Sequence, residues 1–246
     1  SLGHLVKYVE FHGLASHAAG APQDGVNALK AANIAMLAMD SQRESFEDKD
    51  KVRVHGILTA GGTSVNSIPS IAKLEWRIRG RTIDVVNKIN TKIDRSIKAG
   101  AMAMGAKVRI RSIAGNLPML QNKHMNNLYL NNAENVVGGN NVVVHPDDQS
   151  GGSTDMGDLS QILPIIHPRS GGAEGTGHGN DYFIKDYEKS VINPAKAMAT
   201  TIIDLLWADD MQINEVINNH KPNYSISEYV SLQNKRMGND FYDYTS

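Results

Sequence analysis

The stretch IAKLEWRIRG, residues 71–80, alternates without a break: Ala72, Leu74, Trp76 and Ile78 fall on one side, Lys73, Glu75, Arg77 and Arg79 on the other. A period of two places successive side chains on opposite faces, so this segment reads as a strand buried on one side. Upstream, KVRVHGIL sets Val52 and Val54 against charged partners in the same way, and HLVKYVEFHG (4–13) is β-like. Downstream, KVRIRSI (107–113) is a further alternating strand. The period changes between these strands. Ala28, Ala31, Ala32, Ala35 and Met39 recur at helical spacing behind Asp24, a candidate cap. Val86, Ile89, Ile93, Ile97, Ala101 and Met104 do the same behind Thr82 or Asp84. The order is β-α-β-β-α-β, a ferredoxin-like α+β domain expected over residues 1–115.

After GNLPML the pattern is different, and a second domain of α/β type is expected over 116–246. NKHMNNLYLNNAENVVGG reads as a helix closed by Gly138 and Gly139. NVVVHP reads as a short buried strand, GGSTDMGDLSQILP as a turn feeding a short helix, and PIIHPRSGG as strand then loop. NPAKAMATTIIDLLW is an amphipathic helix, and the tail from about residue 222 is polar, aromatic and weakly patterned. This half is short of strands for an independent doubly wound domain.

Composition excludes several classes. The 246 residues are 41% hydrophobic and 21% charged, with a formal net charge of -1, which argues against a general nucleic-acid binder. Lys73, Arg77, Arg79, Lys107, Arg109 and Arg111 raise the idea of an RNA-binding sheet, but strand aromatics to stack bases are lacking in this reading, so no nucleic-acid partner is expected. With no cysteine, disulfides and thiolate metal sites are excluded, and a reducing compartment, the cytoplasm, fits. No apolar run reaches the length of a membrane span, so no membrane partner is expected.

Four segments carry a family resemblance that covers roughly residues 4–210. FHGLASHAAGAPQDGVNAL (11–29) resembles the lid-domain signature of the M20 family of zinc-dependent peptidases and amidohydrolases. GGTSVNSIPSIAKLEWRIR (61–79) resembles its Gly-Gly…Asn-x-Ile-Pro segment and the Arg-bearing strand behind it. GGSTDMGDLS (151–160) and GTGHGNDYFIKD (175–186) resemble the later part of its catalytic domain. The branch most similar includes aminobenzoyl-glutamate and aminoacyl-amide hydrolases. The resemblance implies a lid followed by the C-terminal portion of an α/β zinc-hydrolase catalytic domain.

The resemblance also implies roles, each with a plainer alternative. His178, among loop glycines, would be a zinc ligand; alone it would be a solvated loop histidine. His17 would stabilise the oxyanion of a tetrahedral intermediate, often in the other protomer of a dimer, or else satisfy loop backbone. Asn66 would bind substrate, or sit as a turn residue after Gly61-Gly62. Arg79 would hold a substrate carboxylate or stand as a solvated strand charge. Asp155 would orient the loop beside metals or substrate, or cap a helix with Ser153 and Thr154. His145 and Asp147, in VVVHPDD, mimic an H-x-D metal motif at the wrong point in chain order and read as a strand-to-loop turn.

Two zinc ions are expected in an enzyme of this kind, held mostly by a segment that in the family precedes the lid and that this sequence, which starts at the lid, does not contain. The expected function is therefore a metal-dependent hydrolase of amide or peptide bonds in small acyl-amino-acid or dipeptide-like substrates, with this chain inactive alone. A homodimer through the lid is expected. The alternative is a non-catalytic dimerisation or binding module derived from such a hydrolase.

Overall fold

The alternation that marks residues 71–80 becomes the second-to-edge strand of a five-stranded antiparallel sheet. The computed structural model describes residues 1–145, 151–207 and 210–245. Its elements begin with β1 (Gly3–His12), α1 (Ala28–Ser41), β2 (Arg53–Ala60), β3 (Ile71–Gly80), α2 (Ile83–Met104) and β4 (Lys107–Ala114). There follow α3 (Lys123–Val137), the one-turn α4 (Met156–Leu159), the two-residue strands β5 (Ala173–Glu174) and β6 (Phe183–Ile184), and α5 (Asn193–Leu206). The chain ends with α6 (Asp210–Asn219), α7 (Ile226–Lys235) and β7 (Gly238–Asp243). The βαββαβ order is the expected one, and the sheet order is β2-β3-β1-β4-β7.

Both helices pack on one face of this sheet. Phe11 and Val9 of β1, Leu74 and Ile78 of β3, and Val108 and Ile110 of β4 are buried there, each contributing roughly 1.5–3 kcal/mol of apolar burial. The helical stripes read from the sequence face them: Ala28, Ala31, Ala32, Ala35 and Met39 from α1, and Val86, Ile89, Ile93, Ile97 and Ala101 from α2. Small residues let the helices close on each other. A Cβ on Gly100 would fall 2.7 Å from the Ala35 Cβ and against the Ala31 carbonyl oxygen. Asn27, rather than Asp24, caps α1, its Oδ1 accepting from the Lys30 N–H at 3.0 Å. Asp24 lies in a short 3-10 turn that precedes the helix. Thr82 caps α2 as expected, accepting from the Val85 N–H at 3.2 Å.

One cation is buried in this core. Lys7 has no exposed side-chain surface; its Nζ meets Asp94 Oδ1 at 2.6 Å and donates to Ser112 Oγ at 2.8 Å. Both partners are needed because a buried ammonium without them would be strongly unfavourable.

The chain divides into two compact units: one of Ser1–Met119, Gln149–Asp158 and Ile226–Ser246, the other of Leu120–Asp148 and Leu159–Ser225. The tail, weakly patterned in sequence, forms α7 and β7, and β7 pairs along the outer edge of β4. Arg236 fastens this turn of chain by donating to the His4 carbonyl at 2.7 Å and the Gly115 carbonyl at 3.0 Å. Lys107 pairs with Asp243 at 2.9 Å, and the Lys98 ammonium sits 3.9 Å from the centre of the Tyr242 ring. The strand gains its hydrogen bonds from β4, so a segment with little pattern of its own is ordered by its neighbour.

The second unit is mostly helical among the described residues. Asn122 caps α3, accepting from the Met125 N–H at 2.9 Å, and Gly138 closes it at φ 81°. Across to α5, Asn132 donates to Asp204 at 2.6 Å. The strands expected within 142–146 and 164–167 are not formed over their described residues. An apolar run becomes a strand only where another strand accepts its hydrogen bonds, and the strand pairing described in this unit is β5 with β6.

Candidate functional site

Two loops of the first unit are zipped together, and they carry two of the expected site residues. Gly13 N–H donates to the Ser70 carbonyl at 2.8 Å, Ile68 N–H to the Ser16 carbonyl at 2.9 Å, and Ala18 N–H to the Asn66 carbonyl at 2.9 Å. Gly13 is required where the strand leaves the sheet, since a Cβ there would strike the Val26 carbonyl. The pairing sets His17 opposite Ser67 and brings the His17 and Asn66 backbones to adjoining rungs, both side chains exposed. His17 Nδ1 accepts from the Gly20 N–H at 2.9 Å and the Ala19 N–H at 3.3 Å. With Nδ1 occupied as an acceptor, the neutral ring carries its proton on Nε2, assigned here from the hydrogen-bond pattern. The ring is thus fixed as an exposed N–H donor, the role that polarising a carbonyl oxygen requires.

Arg79 is half-buried on β3, and its Nη1 donates to Ser153 Oγ at 2.9 Å and to the Gly151 carbonyl at 3.4 Å. Burial, then the neighbouring Arg77, push its pKa below the usual guanidinium value. Ser153 in turn donates to the Leu2 carbonyl at 2.8 Å. The plainer reading, a solvated strand charge, does not describe an arginine held this way.

Asp155 lies two residues beyond Ser153. Its Oδ1 accepts from the Met156 N–H at 3.0 Å and from Thr154 Oγ1 at 3.1 Å, just before α4. The stronger anchor in this segment is Asp158, which the sequence reading passed over. Its carboxylate accepts from the Leu117 N–H at 2.9 Å and Asn116 Nδ2 at 2.7 Å.

In the second unit, His178 stands at the tip of the β5–β6 hairpin with its imidazole exposed. It holds φ 66°, a left-handed conformation that costs a non-glycine residue about 1 kcal/mol. Asp181, also not singled out from sequence, is what shapes the loop. Its carboxylate oxygens each accept from the Thr176 N–H at 3.2 Å, and Gly179 N–H closes onto the Thr176 carbonyl at 2.7 Å. An Asp five residues after a loop N–H, among glycines, is the signal that could have found it. A cleft of about 660 Å³ in this unit is lined by Tyr129, Val137, Val143, Arg169, Asp186 and Lys189 among others, and by none of the expected site residues.

Among the described residues no three His, Asp or Glu side chains are grouped so as to hold a metal ion. His178 can supply one ligand, and catalytic zinc takes three from protein; the described residues therefore do not make up a zinc site. His145 is exposed, and Asp147 lies outside the described residues.

Residues 3–103 match the model of a peptidase dimerisation domain. The chain is 31% identical over 209 residues to a mouse (Mus musculus) Xaa-Arg dipeptidase, covering 81% of this chain and 47% of that protein. It is 27% identical over 207 residues to one component of the p-aminobenzoyl-glutamate hydrolase of Escherichia coli (strain K12), covering 80% and 45%. The structure of an aminohydrolase from methicillin-resistant Staphylococcus aureus superposes with a TM-score of 0.60 at 16% identity, over 82% of this chain and 52% of that one. The chain thus spans about half the length of the curated relatives it matches.

Proposed function

From a chain whose residues 3–103 are an M20 peptidase dimerisation domain and which is homologous to M20 hydrolases over 81% of its length, we propose the lid and one portion of an amide-bond hydrolase acting on dipeptides or acyl-amino acids. The observation that carries this reading is the fixed tautomer of His17. Its Nε2–H is exposed on a pair of loops joined by backbone hydrogen bonds, a donor suited to a substrate carbonyl and the oxyanion that develops from it, and Asn66 on the facing loop suits a further contact to the substrate. Arg79, steadied by Ser153, suits a substrate carboxylate, and Asp155 positions that loop.

His178 would give one imidazole to zinc, which in such enzymes activates water. The remaining ligands and the general base come from polypeptide outside the described residues. The chain itself contributes binding and orientation. It pairs with a second copy through the lid: β4 is covered by β7, so β2 is the open edge of the sheet, and Ile57 and Leu58 are exposed on it, as Leu37 is on α1. The absence of cysteine supports a cytoplasmic setting, and no helix among the described residues is long and apolar enough to cross a membrane.

Binding and turnover test this separately. Amide resonances of residues 16–20 and 64–68 should shift when millimolar dipeptide or acyl-amino acid is added to the chain, and His17→Ala and Asn66→Ala should weaken that response; unmoved resonances would remove the binding role. Turnover of the same compounds by the chain should be undetectable with or without added zinc. Turnover that is lost to a chelator and to His178→Ala would show that the zinc ligands lie within this chain after all.

A further inference from the structure

The face of the lid sheet turned away from α1 and α2 gathers positive charge. Arg53 stands directly opposite Arg79 across β2 and β3, and His55 opposite Arg77 two residues along. On the other side of β1, Arg111 pairs with Tyr8 and Arg109 with Phe241. Like charges facing each other across a ladder cost stability. Lys73 and Lys107 on this face are neutralised by Glu10 at 2.8 Å and Asp243 at 2.9 Å. The arginines have no such ion pair among the described residues. The crowding is felt locally: His55 is held below the ordinary imidazole range, by burial and then by Arg79 and Arg77.

Two aromatic rings stand on the same face. The Arg111 guanidinium lies 5.1 Å from the centre of the Tyr8 ring, and that of Arg109 lies 5.6 Å from the Phe241 ring. Both rings are about half exposed, at 41% and 51%. They sit two strands apart with a two-residue offset, roughly 12 Å from each other. An unstacked single strand can bridge such a gap with alternate bases.

We propose that this face binds single-stranded nucleic acid without sequence preference, Tyr8 and Phe241 stacking bases while Arg109, Arg111 and Arg77 hold phosphates. Base–aromatic stacking beside a basic track is the physical basis of sequence-tolerant single-strand binding. The two arguments against it from sequence lose their force in the fold. Phe241 arrives from the tail to supply a second ring on this face, beside Tyr8 of β1. The net charge of -1 is a sum over the whole chain, whereas a phosphate feels charges within a Debye length of about 8 Å. The proposal is independent of the hydrolytic reading.

Fluorescence anisotropy of a short labelled oligouridylate, titrated with the chain at about 50 and about 200 mM salt, tests it. Micromolar binding is expected at low salt, weakening roughly tenfold over that rise. Tyr8→Leu with Phe241→Leu, which alter no charge, should weaken it about tenfold, as should Arg109→Gln with Arg111→Gln. Lys185→Gln with Lys189→Gln, on the second unit, should leave it unchanged. Should Phe241→Leu disturb folding by circular dichroism, Tyr8→Leu alone decides. No binding at low salt overturns the proposal. So does equal affinity for a duplex, and so does binding that the arginine variants abolish but the aromatic variants leave intact, which would mark the face as one for an acidic protein.

Discussion

His4 shows how much one side chain on β1 depends on its surroundings. It is buried, its ring packs where a Cβ on Gly115 would have to go, and its Nδ1 has no hydrogen-bond partner. Burial first, then Arg77, Arg79 and Arg236, push its pKa down to about 4. Between about pH 4 and 6.5 the unfolded chain therefore binds a proton that the folded chain refuses, so stability rises with pH through this window and its gain is complete above 6.5. Acidification from about 6.5 to about 4 should cost up to about 3 kcal/mol of unfolding free energy. Urea melts of His4→Gln should show that slope flattened; an unchanged slope would assign the acid sensitivity to other groups. The β-like run that opens at residue 4 marked His4 as a strand residue, but its neutrality comes from burial and three arginines, one of them 232 positions away.

Among the elements, the α1–α2 pair makes the sharpest demand on sequence. Gly100 faces Ala31 and Ala35 so closely that a side chain has nowhere to go. Gly100→Val should lower stability by about 3 kcal/mol through overpacking, measured by chemical denaturation, whereas Gly100→Ala should cost less. A neutral Gly100→Val would mean that the helices can separate freely. The two helical stripes and four strands of the lid were legible because each carries its own period and is buried by the others. The short strands expected after residue 141 carried no such guarantee. An apolar run such as Val142–Val144 does not say whether a partner strand lies beside it, and none is described there. The reverse holds for β7, with little apolar alternation of its own but a β4 edge to join.

For the molecule as a whole, the proposed pairing of two lids rests on which edge of the sheet is left free. Sedimentation at roughly 50 µM chain should show a dimer, and Ile57→Lys with Leu37→Glu should yield monomer without loss of helix or strand content. A monomeric wild-type chain at that concentration would remove the lid as a self-association surface. The βαββαβ order, the buried stripes and the family were all determined by sequence alone, because periodicity and motif spacing are local properties of the chain. Sequence also named His17, Asn66, Arg79, Asp155 and His178 but could not say how each is held. That His17 and Asn66 share one pair of zipped loops and that Ser153 grips Arg79 are contacts between residues apart in the chain. Only the fold decided them, since a hydrogen bond between residues 79 and 153 leaves no trace in the pattern of either stretch. The tail's place at the edge of β4 belongs with these, because a strand draws half of its reason for being from its neighbour.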